Sequence, residues 1–232
     1  MRKPRAATLL RGEAKVAAVE AMFDAIAPRY DLCNRIISLG LDGRWRRRTV
    51  GALGLAPGAA VLDLACGTGD LCRELDRVSL LPVGVDRSAG MLAAARTGAP
   101  LMRGDALCLP LRHAAVDGVV CGFGLRNFAE LPAFFSECAR VLRPGGRLAL
   151  LEVAEPARPL MRLGHSVWFG RVVPLIGGLL SDRAAYRYLP QSVAYLPAQE
   201  ELGGMLTAAG FGDVRRQALS GGLTQLITGT RL

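Results

Sequence analysis

An apolar run that ends in a carboxylate and a glycine turn, Val61-Leu-Asp-Leu-Ala-Cys-Gly-Thr-Gly-Asp70, limits the folds open to this chain more than any other stretch. Val61, Leu62 and Leu64 read as a buried strand. Gly67 and Gly69 supply a tight turn whose backbone no side chain separates from a ligand. Asp70 then opens a helix.

Elements alternate on both sides of this unit. Strands are expected near Ala60–Leu64, Leu81–Val85, Leu101–Arg103, Val116–Cys121, Arg147–Val153, Val214–Ala218 and Thr224–Thr228. Helices are expected near Asp70–Val78, Ser88–Thr97, Leu131–Leu142 and Gln199–Ala209. This order predicts one α/β domain built on a Rossmann-like, doubly wound, mainly parallel seven-stranded sheet. Ligands of such a sheet bind beyond the carboxyl ends of its strands, where the strand order reverses.

Within the 232 residues the domain divides into an N-terminal helical cap over 1–50, a core over 51–155, a helical insertion over 156–198, and a final helix and strands over 199–232. The cap is expected over one edge of the domain, because Val16, Val19, Met22, Phe23 and Ile26 recur at helical spacing until Pro28 interrupts them. The insertion carries Trp168, Phe169, Val172, Pro174, Leu175 and Ile176, then Tyr186, Tyr188 and Pro190, and is expected to form a lid or substrate wall.

The formal charge of +9 is carried largely by arginine, clustered at Arg2–Arg11 and Arg44–Arg48, so an anionic partner has to be considered. No aromatic-interleaved basic motif or zinc finger accompanies it, which argues against nucleic acid and leaves anionic lipid headgroups or a plain solvated surface. Cys33, Cys66, Cys72, Cys108, Cys121 and Cys138 form no metal-ligand spacing, and with only His113 and His165 no metal site is expected. They read as reduced, mostly buried thiols of a cytoplasmic protein. The residues from Met1 lack a long apolar run and a cleavage site, so no secretory signal is expected, and the apolar stretch Val172–Leu180 is too short to cross a bilayer. Membrane contact is therefore expected to be peripheral at most.

The glycine turn lacks the third glycine of the dinucleotide fingerprint, and Asp70 stands where a pyrophosphate would be repelled. Asp86 ends the second strand about twenty residues on, placed to accept hydrogen bonds from both hydroxyls of a ribose. Asp105, after the third strand, is placed to accept from the exocyclic amine of adenine. A cationic, phosphate-free ligand with a ribose and an adenine is S-adenosylmethionine. Its candidate binding residues are Asp63, Gly67, Thr68, Gly69, Asp86, Asp105 and Ala106.

Leu62-Asp-Leu-Ala-Cys-Gly-Thr-Gly69, Gly84-Val-Asp86, Gly104-Asp105-Ala106 and Val141-Leu-Arg-Pro-Gly-Gly146 resemble, in order and spacing, the motifs of class I S-adenosylmethionine-dependent methyltransferases. The flanking regions are more particular. Phe23-Asp-Ala-Ile-Ala-Pro-Arg-Tyr-Asp-Leu-Cys-Asn34, with Ser38-Leu-Gly40 and Trp45-Arg46, is similar to the N-terminal signature of the demethylmenaquinone and polyprenyl-benzoquinol C-methyltransferases. Phe123-Gly-Leu-Arg-Asn-Phe128 resembles their second signature. Tyr186-Arg-Tyr-Leu-Pro-Gln-Ser192, Gln199-Glu-Glu-Leu202 and Ala209-Gly-Phe211 resemble their C-terminal region. Two stretches depart: Leu151-Glu-Val-Ala-Glu155 lacks the aromatic residue and serine common after the glutamate, and Leu196-Pro197 replaces phenylalanine-proline.

The resemblance implies methylation of a ring carbon in a reduced polyprenyl quinone precursor, demethylmenaquinol becoming menaquinol. That carbon becomes nucleophilic when the neighbouring hydroxyl loses its proton, so the site has to stabilise an oxyanion and align the carbon with the S–CH3 bond. The same resemblance gives Arg126 and Asn127 as donors to the hydroquinone oxygens and Tyr30 as the residue that positions the ring. Each has a plainer reading: Arg126 as a surface-loop arginine, Asn127 as a helix cap before Glu130, and Tyr30 as a core aromatic. Trp168, Phe169, Val172, Leu175 and Ile176 offer either a channel for the isoprenoid tail or ordinary lid packing. A benzoquinol, a phosphatidylethanolamine nitrogen, a secondary metabolite, a non-catalytic S-adenosylmethionine-binding role and a homodimer stay open.

Overall fold

The computed structural model describes residues 10–156, 159–168, 170, 173 and 192–232. The basic residues 2–9, and Phe169, Val172, Pro174, Leu175, Ile176, Tyr186, Tyr188 and Pro190 of the insertion, lie outside the described residues, as does the side chain of His165.

The described strands form one seven-stranded sheet in the order β3-β2-β1-β4-β5-β7-β6. They are β1 (Ala60–Leu64), β2 (Leu81–Asp86), β3 (Leu101–Arg103), β4 (Val116–Gly122), β5 (Leu142–Val153), β6 (Phe211–Leu219) and β7 (Thr224–Arg231). Pairing is parallel from β3 through β5, while β7 runs antiparallel to both β5 and β6. The chain leaves β1 toward β2 and β3, then crosses back to place β4 on the other side of β1. The switch point at which such a sheet binds ligands therefore lies between the ends of β1 and β4.

Strand alternation divides the core between the two faces of the sheet. Leu62 and Leu64 of β1, Val119 and Cys121 of β4, and Leu148 and Leu150 of β5 pack with Phe134, Phe135 and Cys138 of α6 (Leu131–Val141) and with Leu202 and Leu206 of α8 (Gln199–Ala208). Val61, Val120 and Ala149 face the other way, onto Val50 and Leu53 of α3 (Asp42–Leu53) and Leu71 and Leu75 of α4 (Asp70–Asp76). Burial on both faces matches the continuous apolar runs of these strands.

Several expected elements differ in extent, two of them most. The helix expected over Ser88–Thr97 is only α5, Ala89–Ala93, because the Arg96 N–H donates to the Thr68 carbonyl and draws the chain back against the glycine turn. The fifth strand begins at Leu142 rather than Arg147, because Leu142 pairs with Val116 before a bulge restores the register at Gly118 and Arg147.

The cap is α1 (Gly12–Ile26), a short 3-10 turn at Ala27–Arg29 that carries Pro28, α2 (Tyr30–Ile37), and α3. Helix α3 covers one face, and α1 and α2 lie over the carboxyl ends of the strands, where side chains of both line the cavities described below. Polar contacts fix α1 there. Asp24 accepts from Ser88 Oγ and from the Gly90 N–H, and Glu20 accepts from Arg87 and Arg103. Lys15, 4% exposed, donates to the Phe128 carbonyl at 2.6 Å and stands over the Tyr195 ring; burial draws its ammonium down to about 8. Helix α7 (Pro159–Val167) then follows β5.

Candidate active site

Two cavities open at the switch point and share three residues, Phe23, Tyr30 and Phe123. The smaller lies against the glycine turn. The backbone there is left-handed at Ala65 (φ 53°), Gly67 (φ 55°) and Gly69 (φ 81°), which reverses the chain between β1 and α4. Ala65 holds this conformation without glycine's freedom and is a strained point of the turn.

Of the residues expected to hold the cofactor, Gly67, Asp86, Asp105 and Ala106 line this smaller cavity. Asp86 Oδ2 accepts from the Gly67 N–H at 2.7 Å and Oδ1 from the Ser88 N–H at 2.9 Å, tying the turn to the end of β2. Burial pushes the Asp86 carboxyl up, against the lowering effect of these N–H groups. Asp105 accepts from the Leu107 N–H and from Arg87.

Asp63, Thr68 and Gly69 are not on the cavity wall; each serves the turn from behind. Thr68 donates its hydroxyl hydrogen bond to Asp31 of α2 at 2.5 Å. A Cβ at Gly69 would stand 2.6 Å from Thr97 Cγ2, so this glycine makes room for packing rather than for a ligand. Asp63 is 1% exposed and accepts from Cys72 Sγ, while its Oδ1 has no hydrogen-bond partner among the described residues; burial pushes its carboxyl up to about 7. Burial likewise pushes the Cys66, Cys72, Cys121 and Cys138 thiols up, which keeps them protonated and inert.

Sequence reading missed the contribution of the cap to this cavity. Val16, Val19 and Glu20 of α1 close it, opposite Val85, Met91, Leu107 and Phe128. The fit to S-adenosylmethionine rests on that lining: bare backbone at Gly67, carboxylate oxygens of Asp86 and Asp105 for hydroxyl and amine donors, and apolar walls for a purine, with Glu20 and Asp105 also holding Arg87 at the rim.

The larger cavity, about 330 Å3, is walled by α2, α3, the ends of β5 and β7, and Gly164 and Trp168 of the insertion. Most of its lining is apolar or aromatic, but two guanidinium groups reach it, Arg46 and Arg126. Arg126 is a buried residue, not a surface arginine. Its side chain is 6% exposed and bonds Glu152 Oε1 at 2.6 Å, the Phe123 carbonyl at 2.6 Å and Ser192 Oγ at 3.1 Å. Glu152, fully buried, also accepts from the Arg126 and Val153 N–H groups. Nη2 of Arg126 has no partner among the described residues, which leaves it available to a ligand in the cavity.

Asn127 does not join Arg126. The two follow one another in a 3-10 turn, Leu125–Asn127, where successive side chains point about 120° apart. Asn127 therefore lines the cofactor cavity, its Nδ2 donating to the Phe123 carbonyl at 3.5 Å. Tyr30 stands between the cavities, and burial pushes its phenol up although Asn34, Arg46 and Arg126 act to lower it. Phe123, just past β4, is left-handed at φ 61° and packs edge-on against Trp45. Arg46 joins the two sides of the site, bonding Asp42 at 2.6 Å and Asp70 at 2.7 Å, while Asp70 also pairs with Arg73.

The same fold is found in an S-adenosylmethionine-dependent methyltransferase of Thermotoga maritima, with a TM-score of 0.65 at 18% identity over 92% of this chain and 99% of that one. With its crevice at β1 and β4, the chain is a class I S-adenosylmethionine-dependent methyltransferase. More narrowly, it belongs to the ubiE/COQ5 methyltransferase family, which matches residues 11–231. The demethylmenaquinone methyltransferase of Thermus thermophilus is 46% identical over 221 residues, covering 90% of this chain and 100% of that protein. The ubiquinone/menaquinone biosynthesis C-methyltransferase of Syntrophotalea carbinolica is 42% identical, covering 90% of this chain and 92% of its own length.

Proposed function

We propose that this enzyme methylates a ring carbon of a reduced polyprenyl naphthoquinone, converting demethylmenaquinol to menaquinol. The observation that carries the reading is the meeting of two cavities at Phe23, Tyr30 and Phe123, one suited to S-adenosylmethionine and the other apolar with a buried guanidinium on its wall. The names of the relatives at 42–46% identity agree with it.

Bound S-adenosylmethionine supplies an electrophilic methyl group on a sulfonium. The chain's own residues then have three tasks. Tyr30 and Phe123 hold the planar acceptor at the boundary, so that its ring carbon and the methyl group share one line. Arg126, with Nη2 turned to the acceptor, stabilises the phenolate whose charge makes the carbon nucleophilic. Glu152 fixes that guanidinium through its Oε1 and through the Arg126 N–H, so that little reorganisation accompanies charge development. The proton leaves to water polarised at this group, and the apolar walls exclude other water. Asn127, on the cofactor side, orients the cofactor rather than the quinol.

The test is incubation of the purified chain with labelled S-adenosylmethionine and a panel of reduced naphthoquinones, benzoquinones and phosphatidylethanolamine. Label is expected in the naphthoquinol fraction; transfer only to phosphatidylethanolamine, or to nothing in the panel, would overturn the reading.

Delivery of such a substrate needs a membrane surface, and the rim of the acceptor cavity suits one. Leu32 and Leu39 near α2, and Leu163 and Val167 on α7, are exposed large apolar residues beside the cavity-lining Ile37, Gly164 and Trp168. Arg35 on α2, Arg162 on α7 and Arg44 on α3 are exposed as well. No helix among the described residues is long and apolar enough to cross a membrane. The enzyme is expected to sediment with anionic vesicles at low salt and to be released as ionic strength rises; equal partition onto neutral vesicles would count against this contact.

A further inference from the structure

Thr224 opens β7 and is 2% exposed, yet its Oγ1 has no hydrogen-bond partner among the described residues. Its backbone is taken up by the ladders on both sides, opposite Val153 of β5 and Leu219 of β6. The residue lies on the wall of the acceptor cavity, next to Leu223 and on the same wall as Val153 and Arg126.

The hydroxyl therefore does nothing for the fold. A buried polar group without a partner is destabilising, whereas valine has nearly the same shape, is equally at home in a strand and leaves nothing unsatisfied. A covered hydroxyl held at a loss, on a residue that lines a binding cavity, points to a ligand atom that the hydroxyl meets by turning about χ1.

The acceptor supplies one. A hydroquinone has two ring oxygens with different needs. The oxygen beside the methylated carbon becomes an anion and calls for a guanidinium, which Arg126 provides. The oxygen across the ring keeps its proton, and its suited partner is a neutral group that both donates and accepts, as a threonine hydroxyl does. Rotation about χ1 exchanges the positions of Oγ1 and the methyl group without moving the backbone.

We infer that the Thr224 hydroxyl binds the second, protonated ring oxygen of the acceptor and so selects hydroquinones over monohydroxy aromatics. This rests on the quinol reading of the same cavity. It makes Thr224 a specificity residue that neither family signature in the sequence marks.

Thr224→Val and Thr224→Ser test it in the full chain. Each variant is assayed on a prenylated naphthohydroquinone and on the matching 1-naphthol, which lacks the second hydroxyl, with S-adenosylmethionine affinity and melting temperature measured alongside. The wild-type enzyme is expected to prefer the hydroquinone by about a hundredfold or more, because a site built to bond a hydroxyl rejects the analogue without it. Thr224→Val is expected to lose about ten- to a hundredfold in kcat/KM on the hydroquinone and little on the naphthol, with cofactor affinity unchanged and a melting temperature no lower than wild type. Thr224→Ser keeps the preference. A valine variant with wild-type kcat/KM on the hydroquinone and a raised melting temperature would overturn the inference and leave the hydroxyl as a packing defect. Failure of the wild type on both acceptors would instead sink the quinol reading on which it rests.

Discussion

Arg126→Ala is expected to lower kcat/KM on the quinol by about 10²- to 10³-fold, the usual loss when a donor to a developing oxyanion is removed. The variant also removes one partner of a buried ion pair. Glu152, with no exposed surface, would keep its N–H contacts and lose the guanidinium, an uncompensated buried charge that costs about 3–5 kcal/mol. The single variant therefore mixes a catalytic loss with a folding loss. Pairing Arg126→Ala with Glu152→Gln separates them, since no charge is left buried, although the amide can accept from only one of the two N–H groups that the carboxylate serves, those of residues 126 and 153. The double variant is expected to melt above the single Arg126→Ala variant, still below the wild type, and to bind S-adenosylmethionine normally, with turnover still reduced. Recovery of turnover along with stability would show that Arg126 holds the fold and does not touch the acceptor.

The cofactor half of the site was legible in the sequence because its signals are local. A carboxylate at the end of β2 and another just past β3 fall where strand spacing puts them, and Asp86 and Asp105 both line the cavity. What the sequence hid is which side of the turn each residue serves. Thr68, Gly69 and Asp63 sit within the same motif as Gly67, but they bond Asp31, make room for Thr97 and meet Cys72. Asp70 was read as a charge that repels phosphate. Its pairing with Arg46 and Arg73 offsets that charge, so the argument against a dinucleotide stands on the missing third glycine and not on repulsion. Arg46 comes from α3 of the cap, and no local pattern links it to α4.

The acceptor half was less legible for the same reason. Glu152 drew notice only as part of a stretch that departs from the family, while the structure makes it the anchor of Arg126. Asn127 was grouped with Arg126 because both stand in the signature Phe123–Phe128, and the 3-10 turn sends them to different cavities. Thr224 carries no motif at all. Its role depends on which face of β7 meets the cavity, and register fixes that only once the strand is paired.

Asp86→Ala is expected to weaken S-adenosylmethionine binding by about 10- to 10⁴-fold, the loss of one or two charge-assisted hydrogen bonds at about 1.5–3 kcal/mol each. The carboxylate is held by the Gly67 and Ser88 N–H groups, one to each oxygen, which leaves the remaining lone pairs for the two ribose hydroxyls on the cavity side. Asp86→Asn is not a mild substitute. An amide presents one oxygen and one NH2 group, so either Gly67 or Ser88 would face a donor with a donor, and the turn would shift with it. Both variants are expected to raise the KM and Kd for S-adenosylmethionine together and to leave the KM of the quinol near wild type. The Arg126 and Glu152 double variant is expected to do the reverse, harming the acceptor side and sparing the cofactor side. That opposition follows from two cavities that touch only at Phe23, Tyr30 and Phe123. If Asp86→Ala raised the quinol KM as much as that of the cofactor, the two cavities would be one continuous site, and the division of roles between Arg126 and Asn127 would fall with it.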